Sequence, residues 1–304
     1  MRTVRLVGRR TGRAVAAVTV AAVCVACGST PATTGGASTS ATHAAGTTAS
    51  RPPNATNQVD AGYTGRFTTS VTVLEKQGSG PQLCLSGVLD SLPPQCGGPK
   101  VQGWSWDVVT HETRGDVRWG EYRVVGRFDG TTFTLTEPAA AAQPPSPVPP
   151  DPVDNFVTPC PTPAGGWKAV DKAKAKDENM TAVDELARKQ PGYGYSWIDL
   201  KPYVFNIMTT GDLAAMTRIA RTVWGGALCV TKAPRTDAEL RATDDGATAL
   251  AVASGASLLG SRTQGRSGTV MVDVMRATTQ LQQQLDARYG AGVVRLVGAL
   301  RPID

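Results

Sequence analysis

Polar and apolar positions alternate through the first half of the chain. Residues 67–74, Phe-Thr-Thr-Ser-Val-Thr-Val-Leu, set β-branched and apolar side chains against polar ones, the period of a half-buried strand. Trp104–Val109, Trp119–Phe128 and Thr131–Thr136 carry the same signature, and the last two flank Asp129-Gly130, a two-residue hairpin signal. Glycine-rich turns separate the rest. Residues 64–137 are expected to form a β-rich module, a twisted sheet or barrel of roughly four to six strands.

Beyond residue 164 the period changes. Ala169–Lys189 reads as a charged, largely solvated helix and Tyr203–Met208 as a strand. Thr210 is placed to cap a helix with Leu213, Met216, Ala220 and Val223 on one face, stopped by Gly225-Gly226. Ala227–Thr231 is a second strand. Thr236-Asp-Ala-Glu239 is a capping box that opens a helix running to Ser254. Thr269–Val274 is a third strand, Thr278–Tyr289 a helix with Leu281 and Leu285 inward, and Val293–Val297 a fourth strand. The order βαβ-α-βαβ predicts an α+β protein whose second module, residues 164–304, is a ferredoxin-like sandwich with helices on one face of a four-stranded sheet. The helix between strands two and three departs from the simplest version. The two βαβ halves share a layout but no repeated residues.

Two stretches lack either period. Residues 27–63 are nearly all Ala, Thr, Ser, Gly and Pro. Such a segment buries too little apolar surface to offset its ordering entropy, so a flexible tether is expected. Residues 138–163 are rich in Ala and Pro and read as a semi-rigid spacer, the best boundary between modules.

Arg2, Arg5, Arg9, Arg10 and Arg13 precede a small-residue apolar run from Ala14 to Ala26, the layout of an export signal over residues 1–26. The run is shorter than the roughly 20 residues of a membrane span. Its end, Cys24-Val-Ala-Cys27-Gly-Ser, resembles the bacterial lipoprotein signal, in which a cysteine becomes the acylated mature N-terminus. The resemblance implies lipidation (palmitate included) at Cys27, anchorage to the cell membrane and an extracytoplasmic location. Cys24 stands where Leu is usual.

Processing changes the charge. The whole chain is +6; without residues 1–26 it is +1, so the basic balance belongs mostly to the signal. No block of Lys and Arg marks a nucleic-acid interface, and no such partner is expected. Four cysteines remain beyond Cys27, an even number in an exported chain, which reads as disulfides. Three pairings exist. Cys84 with Cys96 closes a short local loop and leaves Cys160 with Cys229, the pairing favoured.

The segments "LCLSGVLDSLPPQCGGPKVQGWSWD" and "RWGEYRVVGRFDGTTFTLT" resemble a pattern in exported actinobacterial proteins of uncharacterised function. Cys84, the Pro-Pro-Gln-Cys-Gly-Gly-Pro run at 93–99, Gly103-Trp104, Trp119-Gly120 and the Gly126–Gly130 turn carry the resemblance. It covers roughly a quarter of the chain, implies an envelope setting and brings no catalytic residues.

Candidate chemistry is sparse. Histidine is limited to His43 in the tether and His111 in a polar "THETRGD" stretch. That count argues against a histidine-built metal site or a histidine base. Neither a phosphate loop nor a dinucleotide fingerprint is present. No catalytic, metal or cofactor residue is assigned. Asp107, Glu112, Asp116 and Glu121 are the carboxylates a hydrolase would draw on, interleaved with Arg114, Arg118 and Arg123 as a solvated charge pattern. Asp244-Asp245 falls on a helix and is expected to face water. Trp104 and Trp106 share one face of the predicted strand and, with Trp119 and Tyr122, make either a ligand platform or a core. The loop between Cys84 and Cys96, stiffened by Pro93-Pro94, is the better contact candidate, because pre-organised loops bind at lower entropic cost.

The expectation is a lipid-anchored envelope protein that works by binding, its partner another envelope protein or a wall polymer. Glycan or cell-wall binding through the β-module is the alternative. A carboxylate-dependent hydrolase is the third reading.

Overall fold

The alternating stretches of the first half close on themselves. A computed structural model describes residues 57–142 and 156–304. The expected signal, Cys27, His43, most of the tether and residues 143–155 of the spacer lie outside the described residues. In chain order the first strands are β1 (Gln58–Val59), β2 (Phe67–Lys76), β3 (Gly80–Leu83), β4 (Lys100–Gln102), β5 (Glu112–Arg114), β6 (Val117–Phe128), β7 (Thr132–Leu135) and β8 (Ala140–Ala141). β2 runs antiparallel to β6 from Phe67↔Gly126 to Lys76↔Val117. The ladder continues from β2 through β3, β4 and β7 and returns to β6, so five strands form a closed barrel with one parallel contact, β4 to β7. Closure removes exposed edges. Phe67, Val73, Leu83, Val101, Val124 and Phe133 fill the interior.

The Asp129-Gly130 hairpin forms as expected. The Asp129 carboxylate accepts from the Thr131 and Thr132 amides at 2.8 and 2.7 Å, and Gly130 takes φ +111°. Trp104–Val109, by contrast, is not a strand. Gly103, at φ +80°, ends β4, and the Ser105 hydroxyl accepts from the Asp107 amide to cap a single 3₁₀ turn, Trp106–Val108.

The second half contains α1 (Asp177–Arg188), β9 (Tyr193–Leu200), β10 (Tyr203–Thr209), α2 (Leu213–Arg221), β11 (Leu228–Lys232), α3 (Asp237–Ala253), β12 (Leu258–Gln264), β13 (Thr269–Val274), β14 (Ala277–Thr278), α4 (Thr279–Tyr289), β15 (Val294–Gly298) and β16 (Arg301–Pro302). The α+β class holds, but one four-stranded ferredoxin-like sheet does not form. Two three-stranded sheets replace it, ordered β11-β10-β9 and β12-β13-β15. In each, an antiparallel hairpin is followed by a helix and a strand parallel to the hairpin's second member. β9 and β12, absent from the sequence expectation, are the reason. Each gives its βαβ element a third strand, which completes that sheet separately. α3 then opens the second unit, and the layout αββαβ occurs twice.

Helices cover one face of each sheet. Val183, Ala187, Phe205, Ile207, Met216 and Trp224 form the first core. Ala247, Val270, Val272, Leu281, Leu285 and Val294 lie in the second. The opposite faces differ. In the first unit Val204, Ala227 and Cys229 are covered by the chain from Phe156 to Trp167. Trp197 donates to the Phe156 carbonyl at 2.9 Å, the Thr158 amide donates to Asp199 at 2.7 Å, and Cys160 is bonded to Cys229 with Cα atoms 5.9 Å apart. The end of the expected spacer is thus a strap.

The second unit is tied to the barrel instead. β1 pairs with β14 and β16 with β2. Leu300, fully buried, belongs to the barrel core together with Val59. Residues 57–63, assigned above to the tether, therefore belong to the folded body, because Val59 and Tyr63 have apolar surface to bury there. Asp304 closes the seam on Arg66 at 2.9 Å.

Candidate functional site

The loop between β3 and β4 is fixed at its base and apolar at its tip. Cys84 and Cys96 are bonded, with Cα atoms 5.4 Å apart, and pack with Leu74, Val117 and Trp119. The Gln82 side chain donates to the Cys96 carbonyl at 3.1 Å and the Leu83 amide to the Pro99 carbonyl at 3.0 Å. Gly98 lies so close to the Leu83 backbone that a Cβ would stand 1.7 Å from its carbonyl oxygen, so this position of the Gly-Gly-Pro run admits only glycine. Across the loop, the Leu89 amide donates to the Gln95 carbonyl at 2.9 Å and the Ser91 hydroxyl to the Pro93 carbonyl at 3.0 Å.

The tip presents Val88, Leu89 and Leu92 at 46%, 64% and 63% exposure. Single exposed aliphatics are ordinary; three on one braced loop form a patch that water disfavours. Between the cysteines the only charge is Asp90. At the loop base, Leu85 and Ser86 face Gly260, Asp273 and Val297 across a cavity of about 260 Å³. Sequence reasoning singled out the loop but not these three side chains. The readable signal was apolar residues within a Gly, Ser and Pro-rich segment, where turn chemistry alone does not require them.

The aromatic residues go elsewhere. Trp106, Trp119 and Tyr122 are buried, and Trp104 is half-buried. Trp104 meets Trp106 and Tyr122 edge-on at 5.2 and 4.9 Å, within the favourable range for such pairs. The Trp106 indole donates to Glu75, which also accepts from Arg118 at 2.9 Å, and that guanidinium lies 5.4 Å over the Trp106 ring. Tyr122 donates to the Thr110 carbonyl at 2.6 Å, and burial pushes its phenol above the ordinary value. Trp119 packs apart from this group, against the disulfide. No strand-face platform of Trp104 and Trp106 exists, because the 3₁₀ turn directs Trp106 inward. Trp104 keeps one distinctive property. Its indole nitrogen is buried without a partner, and its ring helps line a groove of about 360 Å³ with Val108, Leu135 and Pro138.

The carboxylates considered for hydrolysis are not brought together in a cleft. Asp107, Glu112, Asp116 and Glu121 are all exposed, Asp116 faces Lys76 at 3.8 Å and Glu121 accepts from Thr72 at 2.9 Å. His111 is exposed, its ring 5.1 Å from Trp106. Asp245 faces water, whereas Asp244 is half-buried with one oxygen unpartnered. Among the described residues no group of three or more His, Cys, Asp or Glu is arranged to hold a metal ion, and no helix is long and apolar enough to cross a membrane.

No protein-family model, curated protein or solved structure matches this chain.

Proposed function

We propose that this chain is a lipid-anchored, extracytoplasmic binding protein of the cell envelope, resembling exported actinobacterial lipoproteins, that engages another envelope protein through the Cys84–Cys96 loop. The apolar tip on a disulfide-bonded, internally hydrogen-bonded base carries the reading. A loop already ordered loses little entropy on docking, and its aliphatic side chains gain by leaving water. Two disulfides accord with an oxidising compartment, and the Cys27 signal supplies the anchor.

The test has two arms. Cys27→Ala should move the protein out of the membrane fraction; an unchanged distribution removes the anchor. A photoreactive residue at position 89 or 92 should give one discrete adduct in intact envelope, and one at the exposed Val252 of α3 should not. Equal labelling from all three positions, or none, removes the docking loop.

The half-buried Trp104 beside its groove favours a second reading, glycan or wall-polymer binding by the barrel. Quenching of tryptophan emission by soluble wall fragments, lost in Trp104→Phe, would support it over the first.

A further inference from the structure

The barrel and the second αββαβ unit enclose a cleft of about 270 Å³. One wall is the β6–β7 turn, with Phe128 and Gly130; the other runs from the end of α3 through Arg276 to the first turns of α4. Its chemistry is one-sided. Arg276 is the single cation of the lining, and no carboxylate lines it. Arg276 is half-buried and, among the described residues, makes no ion pair or side-chain hydrogen bond. Two nearby carboxylates are engaged elsewhere: Asp129 accepts from Thr131 and Thr132, and Asp60 accepts from Thr279 at 2.9 Å.

The remaining lining combines neutral polar groups, Ser257 and Gln280 among them, with the apolar surfaces of Phe128, Met275 and Leu281. In the corresponding corner of the first unit the charges have partners within the unit. There Asp212 caps α2 through the Ala215 amide at 2.6 Å, and Lys232 donates to the Thr210 and Gly211 carbonyls at 3.2 and 2.6 Å. In the second unit the cation has no such internal use.

We propose that this cleft binds a small organic carboxylate, its anionic end on Arg276 and its carbon body against Phe128, Met275 and Leu281. A planar guanidinium with five donors matches a carboxylate through two parallel hydrogen bonds. The apolar walls favour a carbon skeleton over a bare inorganic anion, and the volume, just below the usual range for small-molecule sites, favours a compact ligand. This site is separate from the docking loop and does not depend on it.

Titration of the whole protein with acetate, propionate, butyrate and inorganic phosphate, followed by amide shifts at Gly130, Ser257 and Arg276, tests the proposal. Affinity should rise about three- to four-fold per added methylene. It should fall at least about ten-fold in Arg276→Gln and by a smaller but measurable factor in Arg276→Lys, which keeps the charge and loses the paired donors. Arg295→Gln, which removes an exposed arginine of β15 outside the cleft, should bind as the wild type does. Phosphate binding as tightly as butyrate, wild-type affinity in Arg276→Gln, or shifts spread away from the cleft would each overturn the assignment. The dispersion of amide resonances in each variant distinguishes lost binding from lost folding.

Discussion

The two αββαβ units share strand order and helix placement, yet each hides the back of its sheet differently. In the first, apolar Val204, Ala227 and Cys229 point away from the helices, and an extended strap bonded at Cys160–Cys229 covers them. In the second, the equivalent face carries Arg262 paired with Asp273, half-buried Met271 and Val297, and exposed Arg295. That face is tolerable to water and needs no strap. The second unit spends its apolar surplus at one end, where Leu300 enters the barrel and β16 joins β2. The cover a three-stranded sheet requires is thus set by the polarity of every second residue in its strands. A repeated layout can diverge at that period without losing its core.

The strongest way to break the comparison is to unfasten the strap. Cys160→Ser with Cys229→Ser opens a loop whose ends are 69 residues apart, and the chain-entropy model puts the loss near 4 kcal/mol. Denaturant unfolding should register it, and Trp197, which donates to Phe156 in the strap, should become more accessible to quenchers. A loss confined to the barrel would refute the role given to the strap.

Leu300→Ala attacks the other unit's attachment. Its side chain is fully buried, and truncation should cost about 3 kcal/mol. Amide exchange should accelerate in β2 and β16 together; acceleration in only one would show that the seam is not a single cooperative element.

Helix capping separates the units more gently. α3 opens with a capping box, Thr236 with Glu239, whereas Lys176 at the start of α1 makes no side-chain cap. Thr236→Ala should cost about 1 kcal/mol, and Lys176→Asp should gain up to roughly that amount. Hydrogen bonds from the Thr236 amide and hydroxyl hold the Glu239 carboxyl below its ordinary value of 4.5. A folded-state value lowered in this way stabilises fully above the ordinary value and is lost as pH falls through the folded one. The stability gap between wild type and Thr236→Ala should therefore be constant near neutrality and narrow in acid; a gap that widens in acid would contradict the cap.

The smallest effect is expected at Arg262→Ala. Its partly exposed pair with Asp273 should be worth under about 1 kcal/mol, measurable as a small shift in the unfolding midpoint. A larger loss would mean that the back face of the second sheet is not as water-tolerant as its composition suggests.

Sequence pattern made the long barrel strands, the Asp129-Gly130 hairpin, the capping box and α4 legible, because each rests on local chemistry within a few residues. It missed β9 and β12, both edge strands, for different reasons. β12, Leu-Leu-Gly-Ser-Arg-Thr-Gln, is largely accessible and retains little apolar period. β9, Tyr-Gly-Tyr-Ser-Trp-Ile-Asp-Leu, is mostly buried or half-buried but breaks its apolar run with Gly194, Ser196 and the buried Asp199. Without them, four visible strands suggested one sheet. The aromatic run at 104–106 misled differently, since Gly103 and Ser105 turn the chain before the alternation can act. The contact loop was legible as a disulfide-bonded, proline-stiffened segment, but the outward direction of Val88, Leu89 and Leu92 depends on the barrel beneath. Arg276 carried no signal, because what sets it apart is that no carboxylate pairs with it in space or lines its cleft.

The seam between β2 and β16 also has a timetable. The Arg66 amide donates to the Asp304 carboxylate across 238 residues of chain. The five barrel strands lie within residues 67–135 and can pair as soon as they emerge, but a ribosome must deliver the last residues before the core of that barrel is complete. Until then the start of β2 lacks β16 beside it and the site of Leu300 stands open. Such long-range closure is slow to find, since the entropy of joining distant segments is spent before any contact repays it. The part of the molecule synthesised early is thus the part that locks late.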